Sequence, residues 1–474
     1  MISMLYRRLS ILIATLLVAA ACTGASPAAS GSPQASGGAA STLVYYADVS
    51  DLISLDPAVA YEFSGVLLAH NAYETLVKFE GSDLSNIKPS LATSWDPKDA
   101  GATWDITFKL KSGVKFASGN ALTADDVVYS EVKSHETAGD SGSGWLLDHS
   151  AGSGPYNIDH WTKQSEVLLK ANANYGGTKP ALGSVLVKHV PESTNQQFAL
   201  EKGDADVARN LGPQQIAAIQ GKAGMSTTTG NSLLLVYVGM NATVKGLDNV
   251  NVREALRTAI DYDGIIKDLL KGNAKKVQGI VPAGLAGYNE STPFQADVTK
   301  AKALLAQAGQ TALSFEFLVP TGQAPGGVAW ADLAAKLQAD WAKIGVTVTI
   351  KQTAQADLLT TYRAQKGQLV MILWGPDFPD PDANVGPFTD YASKSIAYRN
   401  AWDDKTIAQK GKDAALITDT AKRAAAYKEI TDAVLHTGPY AVLYQPTEIF
   451  GLRSNVKGFA WNPMGWLDFA SITK

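Results

Sequence analysis

The segment 313–374 constrains the fold most, because its three apolar runs are separated by helix-patterned stretches and can be buried together in few ways. LSFEFLVP (313–320) and VTVTIKQ (346–352) read as strands, and VAWADLAAKLQADWAKIG (328–345) between them has apolar residues at helical spacing and a closing glycine. Strand, crossover helix and strand predict a right-handed parallel unit. After a short helix at 357–366, QLVMILW (368–374) is apolar without alternation, as a strand covered on both faces must be. Ligands of open α/β sheets bind beyond the carboxyl ends of such strands. The loop that begins there, WGPDFPDPDANVGPF (374–388), is therefore the first candidate site.

A chain of 474 residues exceeds what one hydrophobic core serves and predicts two or more domains. Charged residues make up 18% of it, and 41 Lys and Arg stand against 45 Asp and Glu, so no basic surface for nucleic acid is expected. Earlier in the chain, LVYYADV (43–49) reads as a strand, and TWDITFKLKSGVKFASG (103–119) as a hairpin turning at Ser-Gly. In ALTADDVVYSEVK, Thr123 caps a helix whose first turn holds Asp125 and Asp126, which are assigned to capping and not to catalysis.

Arg7 and Arg8 precede an apolar run, 11–21, that ends in small residues at Cys22, the only cysteine. This order predicts an export signal over 1–21 that is too short to span a bilayer comfortably. Ala19-Ala20-Ala21-Cys22 resembles the lipobox of bacterial lipoproteins, with alanine where leucine is usual three places before the cysteine. The resemblance implies a lipid on Cys22 and an exported protein, at the cell surface or in the periplasm, held to a membrane. Residues 22–41 lack charge and aromatic side chains and read as a flexible tether.

Further motifs follow one another along the chain: SLDPA, NAYETLVKFE, IKPSLATSWDP, FKLKSGVKFASGNALTADDVVYS, GSGPYNI, KGDADVA, NVREALRTAID, AKALLAQAG, QADWAKIGV and WGPDFPDP. In this order and spacing the chain resembles the family 5 extracellular solute-binding proteins, the peptide, nickel and oligosaccharide receptors of ABC importers. The resemblance covers nearly the whole mature chain. It implies an α/β, two-lobed, periplasmic-binding-protein-like fold that closes on its solute like a flytrap, with an extra subdomain inserted in the first lobe. Lobe I would comprise 42–239 with the insertion at about 60–164, lobe II 240–444, and the tail 445–474 would return to lobe I. The hinge would lie near Gly239-Met240-Asn241 and Leu443-Tyr444-Gln445. A small solute, a peptide first and an oligosaccharide as the alternative, would pass to ABC permease subunits. A monomer without cofactor or metal is expected.

In peptide-binding members an aspartate three residues after a tryptophan takes the ligand's amino terminus, and the matching pair here is Trp374 and Asp377, flanked by Gly375 and Phe378. The alternative for Asp377 is the start of a proline-stiffened turn, its carboxylate bonded to nearby backbone N–H groups. Asp380 and Asp382, beside Pro381, read as turn formers at the surface. Where dipeptide binders place an arginine for the peptide carboxylate, this chain has PTGQAPGGVAW. Trp330 would there offer a stacking face, or else be a core residue of its helix. Glu62 and Phe63, in a region that faces the cleft in relatives, and Trp145 in GSGWLL complete the expected site. A secreted hydrolase using Asp377 and Asp380 as an acid and base pair is the rival class. Against it, the chain has no G-x-S-x-G elbow, no HExxH helix and no Walker-type loop. Its six histidines never fall in metal-ligand spacing.

Overall fold

The computed structural model describes residues 41–60, 62–101, 103–134, 143–310 and 312–474. Cys22, the export signal and all of the tether but Ser41 lie outside the described residues.

The parallel unit is present as read. Leu313–Pro320 pairs in parallel with Val346–Thr353 along its whole length and with Leu369–Trp374 at Phe317 and Leu318. The crossover helix is Trp330–Ala342. Leu235–Met240 then runs antiparallel to Leu369–Trp374, and the start of Tyr440–Arg453 pairs with it in turn. Both faces of this sheet are covered. Leu369 and Met371 enter one apolar cluster with Val236 and Val238, while Val370, Ile372 and Trp374 enter another with Leu235 and Tyr237. That two-sided burial is why the strand reads as a continuous apolar run.

A second set of strands builds lobe I. Thr42–Ala47 lies parallel to both Ser184–His189 and Val207–Ala208. Glu166–Ala171 and Tyr156–Thr162 extend the sheet antiparallel. Tyr440–Arg453 belongs to both sets, since its later residues pair with Met225–Asn231 and with Val207–Ala208. The fold is the two-lobed α/β architecture that the motifs implied.

Two boundaries differ from expectation, the first crossing and the insertion. Leu235–Met240 pairs entirely within the lobe II sheet, so the first crossing lies at Ser232 to Leu234 and not at 239–241. The second crossing was expected near 443–445, and the pairing of Tyr440–Arg453 changes partner there, at Gln445 and Pro446. The Gln445 amide ties the two crossings together, donating to the Ser232 carbonyl and exchanging bonds of 2.8 and 2.9 Å with Ala283. The insertion is also shorter than 60–164. Helix Phe63–Ala72 packs Leu67 and Leu68 into the lobe I core and Tyr156–Thr162 joins the main sheet, which leaves the region between them off that sheet.

Within the insertion, Trp104–Leu110 pairs with the preceding strand Ala92–Asp99, so the expected hairpin at 103–119 uses the wrong partner. Alternation marks a strand but does not say which neighbour it finds. Thr123 does cap helix Ala124–Ser134: its hydroxyl accepts from the Asp126 N–H at 3.4 Å, and the Asp126 carboxylate accepts from the Thr123 N–H at 2.7 Å.

Candidate functional site

Parallel strands of both sheets aim their carboxyl ends at one place. In lobe I, Asp48 follows Thr42–Ala47, Pro191 follows Ser184–His189 and Arg209 follows Val207–Ala208. In lobe II, Gln323 follows Leu313–Pro320 and Gln355 follows Val346–Thr353. All five line a cavity of about 180 Å³, and Glu448 and Ile449 of the shared strand lie across its floor. This is the carboxyl-end crevice of an α/β sheet, formed twice and facing itself.

Two expected residues line it. Phe63, half-buried, stands between two glycines: a Cβ built on Gly375 would sit 3.0 Å from its ring, and one built on Gly465 would sit 3.3 Å away. Gly375 is thus needed for close approach, and it shapes the wall through Phe63 and Leu234. Trp330 borders the cavity but is only 4% exposed and packs in the core of its helix, which favours the core reading over a stacking platform.

Trp374 is a correction. It shares strand parity with Val370 and Ile372 and turns into the core, where its indole N–H donates to the Ala383 carbonyl at 3.2 Å and its ring meets Phe388 edge-on. Neighbouring Leu373, of opposite parity, reaches the cavity instead. Glu62, Trp145, Asp377 and Phe378 do not line it. Glu62 occupies the N-cap position of helix Phe63–Ala72. Trp145 is exposed and stacks on His149 at 4.5 Å. Asp377 and Phe378 project from the exposed part of the loop after Gly375.

That loop is anchored by an ion pair which the sequence reading did not foresee. Arg423, in helix Thr420–Thr437, grips Asp380 with both terminal nitrogens at 2.6 and 2.8 Å. Asp380 in turn accepts from the Asp382 N–H at 2.9 Å, and the Tyr427 hydroxyl donates to Asp382 at 3.3 Å. Burial raises the Asp382 pKa above the usual carboxylate range, opposed by that Tyr427 bond. Asp380 does form the expected turn, through its bond from the Asp382 N–H, and the ion pair with Arg423 and the part-buried Tyr427 bond add a structural role for both aspartates.

Residues missed at first are Asp48, Asp51, Arg209 and Glu448. A signal was available for Asp48, the polar residue just after the strand Thr42–Ala47, by the carboxyl-end rule. Val207–Ala208, however, is two residues long and shows no strand pattern of its own.

Residues 86–138 and 132–395 match the family described as bacterial extracellular solute-binding proteins, family 5 Middle. The chain belongs to that family. This family 5 protein is 26% identical over 479 residues to the probable D,D-dipeptide-binding periplasmic protein DdpA of Escherichia coli K12, covering 88% of this chain and 90% of that one. Its fold matches the periplasmic binding protein DppA of Helicobacter pylori in complex with the peptide STSA. There the TM-score is 0.79 at 23% identity, over 91% of this chain and 98% of the other. It also matches NikZ of Campylobacter jejuni in complex with Ni(L-His), with a TM-score of 0.77 at 20% identity, over 91% and 99% of the two chains.

Proposed function

We propose that this family 5 protein is the lipid-anchored receptor of an ABC importer, capturing a peptide between its lobes and handing it to membrane permease subunits. The observation that carries this reading is the cavity itself. Carboxyl ends of parallel strands from both lobes converge on a strand common to both, so a solute seated there touches both lobes at once. Its relatives include a probable D,D-dipeptide-binding protein, which supports a peptide as the cargo.

In the Pro-rich loop Asp380 is taken up by Arg423, which disfavours the rival reading of Asp377 and Asp380 as an acid and base pair. Asp377, exposed on the same loop, is proposed as the acceptor for the solute's ammonium group when the lobes close. Asp377→Asn is expected to weaken binding of the peptide that native mass spectrometry finds on protein purified from its source by at least tenfold, about 1.4 kcal/mol, with an unchanged melting temperature. Calorimetry showing wild-type affinity would remove Asp377 from the site.

The anchor is proposed on Cys22. Each buried acyl methylene contributes about 0.8 kcal/mol, and two or more chains make the attachment stable where one does not. Cys22→Ser is therefore expected to move the protein from the membrane fraction to the soluble exported fraction. Retention with membranes would contradict lipidation at this residue.

A further inference from the structure

Among the described residues Arg209 is the single guanidinium on the cavity lining, where its charged neighbours are Asp48, Asp51 and Glu448. Its side chain is 11% exposed, and its closest approach to a carboxylate is from Nε to Glu448 at 3.6 Å, longer than a hydrogen bond. Nε is buried and has no hydrogen-bond partner among the described residues. The guanidinium lies over the Trp461 ring at 4.7 Å, and that indole is itself fixed by a 3.0 Å bond to the Asn231 carbonyl. Stacking on Trp461 holds the fork, with Glu448 beside its Nε edge and the buried Tyr45 close by. An arginine so placed is preorganised to receive a planar, two-oxygen acceptor.

Burial works against the charge on Arg209, but Glu448, Tyr45 and Asp51 outweigh it and raise the pKa, so the group stays a cation. Charge on the rest of the wall narrows the solute further. Three carboxylates against one guanidinium repel a plain anion. Asp48 and Asp51 already accept backbone bonds from Ser50 and Ser64, and so are fixed in place. A solute that brings its own cation is not repelled.

We propose that Arg209 binds the carboxylate of a zwitterionic solute from lobe I, and so sets the selectivity of the cavity for a free carboxyl end. The inference rests on the peptide reading above. It places the carboxylate anchor on the lobe opposite the Pro-rich loop, so that the two ends of a short peptide would be held by different lobes and its binding would favour closure.

The test is calorimetry with Ala-Ala and Ala-Ala-Ala, each as the free acid and as the C-terminal amide. Wild-type protein is expected to bind the acids at least thirtyfold more tightly than the amides. In Arg209→Gln this preference should fall to within about threefold, and Arg209→Lys should keep part of it, because the charge remains and the fork does not. The wild-type ratio stands by itself if the glutamine variant folds poorly. Equal affinity of wild-type protein for acid and amide would overturn the carboxylate role while leaving the peptide reading intact. Failure of all four probes to bind would overturn both.

Discussion

Arg257→Met is expected to lower the stability of the folded protein by about 3 kcal/mol, seen as a fall in the urea midpoint without loss of native fluorescence in the absence of denaturant. Arg257 is 1% exposed, and no carboxylate pairs with it among the described residues. Its partners are backbone carbonyls where helix Thr420–Thr437 ends: His436 and Gly438 at 2.8 Å, with Tyr440 at 3.3 Å. Arg253, one helical turn earlier on the same face, takes the Thr437 carbonyl at 2.6 Å. Burial lowers the Arg257 pKa to about 10, with the neighbouring charge of Arg253 adding to this, and the group is still charged at neutral pH. The negative end of a helix thus serves as counter-ion to two buried cations. Methionine fills the volume but leaves at least three carbonyls without donors. Arg257→Lys should recover only part of the loss, because one ammonium cannot span the same acceptors. An unchanged midpoint for the methionine variant would show that water or a rearranged chain serves the helix end equally well. The clamp matters for function because the helix end it holds feeds directly into Tyr440–Arg453, the strand shared by both lobes.

Gly152→Val is expected to cost about as much and to loosen the inserted segment first. A Cβ on Gly152 would fall inside the Ala72 carbonyl and 2.9 Å from the Tyr73 ring, and one on Gly154 would lie 2.6 Å from the Ala72 carbonyl carbon. Here the returning chain lies directly on the end of helix Phe63–Ala72, with the Gly154 N–H donating to the Ala72 carbonyl at 3.0 Å. Limited proteolysis should cut the variant between 73 and 150 well before the wild type. Gly176→Val is the control, since its Cβ would meet no atom within 4 Å. Equal proteolytic resistance of all three proteins would mean that this contact does not close the insertion.

These two sites also show what was legible in the sequence. GSGPYNI and NVREALRTAID stood out as motifs, but the reasons for their glycines and arginines lie in contacts with Ala72 and with 436–440, far away in the chain. The parallel unit at 313–374 was readable because helical and extended periodicities alternate within one stretch, which needs no distant partner to be recognised. Strand parity explains the main error at the site. Trp374 was chosen for its place in a motif, whereas the alternation Val370, Ile372, Trp374 sends it into the core and Leu373 to the cavity. The hinge was misplaced by several residues for a related reason: Leu235–Met240 is a strand in any reading, but only its pairing with Leu369–Trp374 assigns it to lobe II. Arg209 was missed because a two-residue strand leaves no pattern to follow.

A solute that bridges the lobes is expected to draw them together across the crossings at Ser232 to Leu234 and Gln445 to Pro446. Small-angle X-ray scattering of the solute-free protein, repeated with a saturating amount of the solute recovered from the native protein, tests it most directly. A ligand can shift the equilibrium only by its differential affinity for the closed form, so a bridging solute must reduce the radius of gyration. The expected result is a smaller radius with a saturable dependence on solute concentration. Superimposable curves, with binding confirmed by calorimetry on the same samples, would contradict closure and place the solute on one lobe alone.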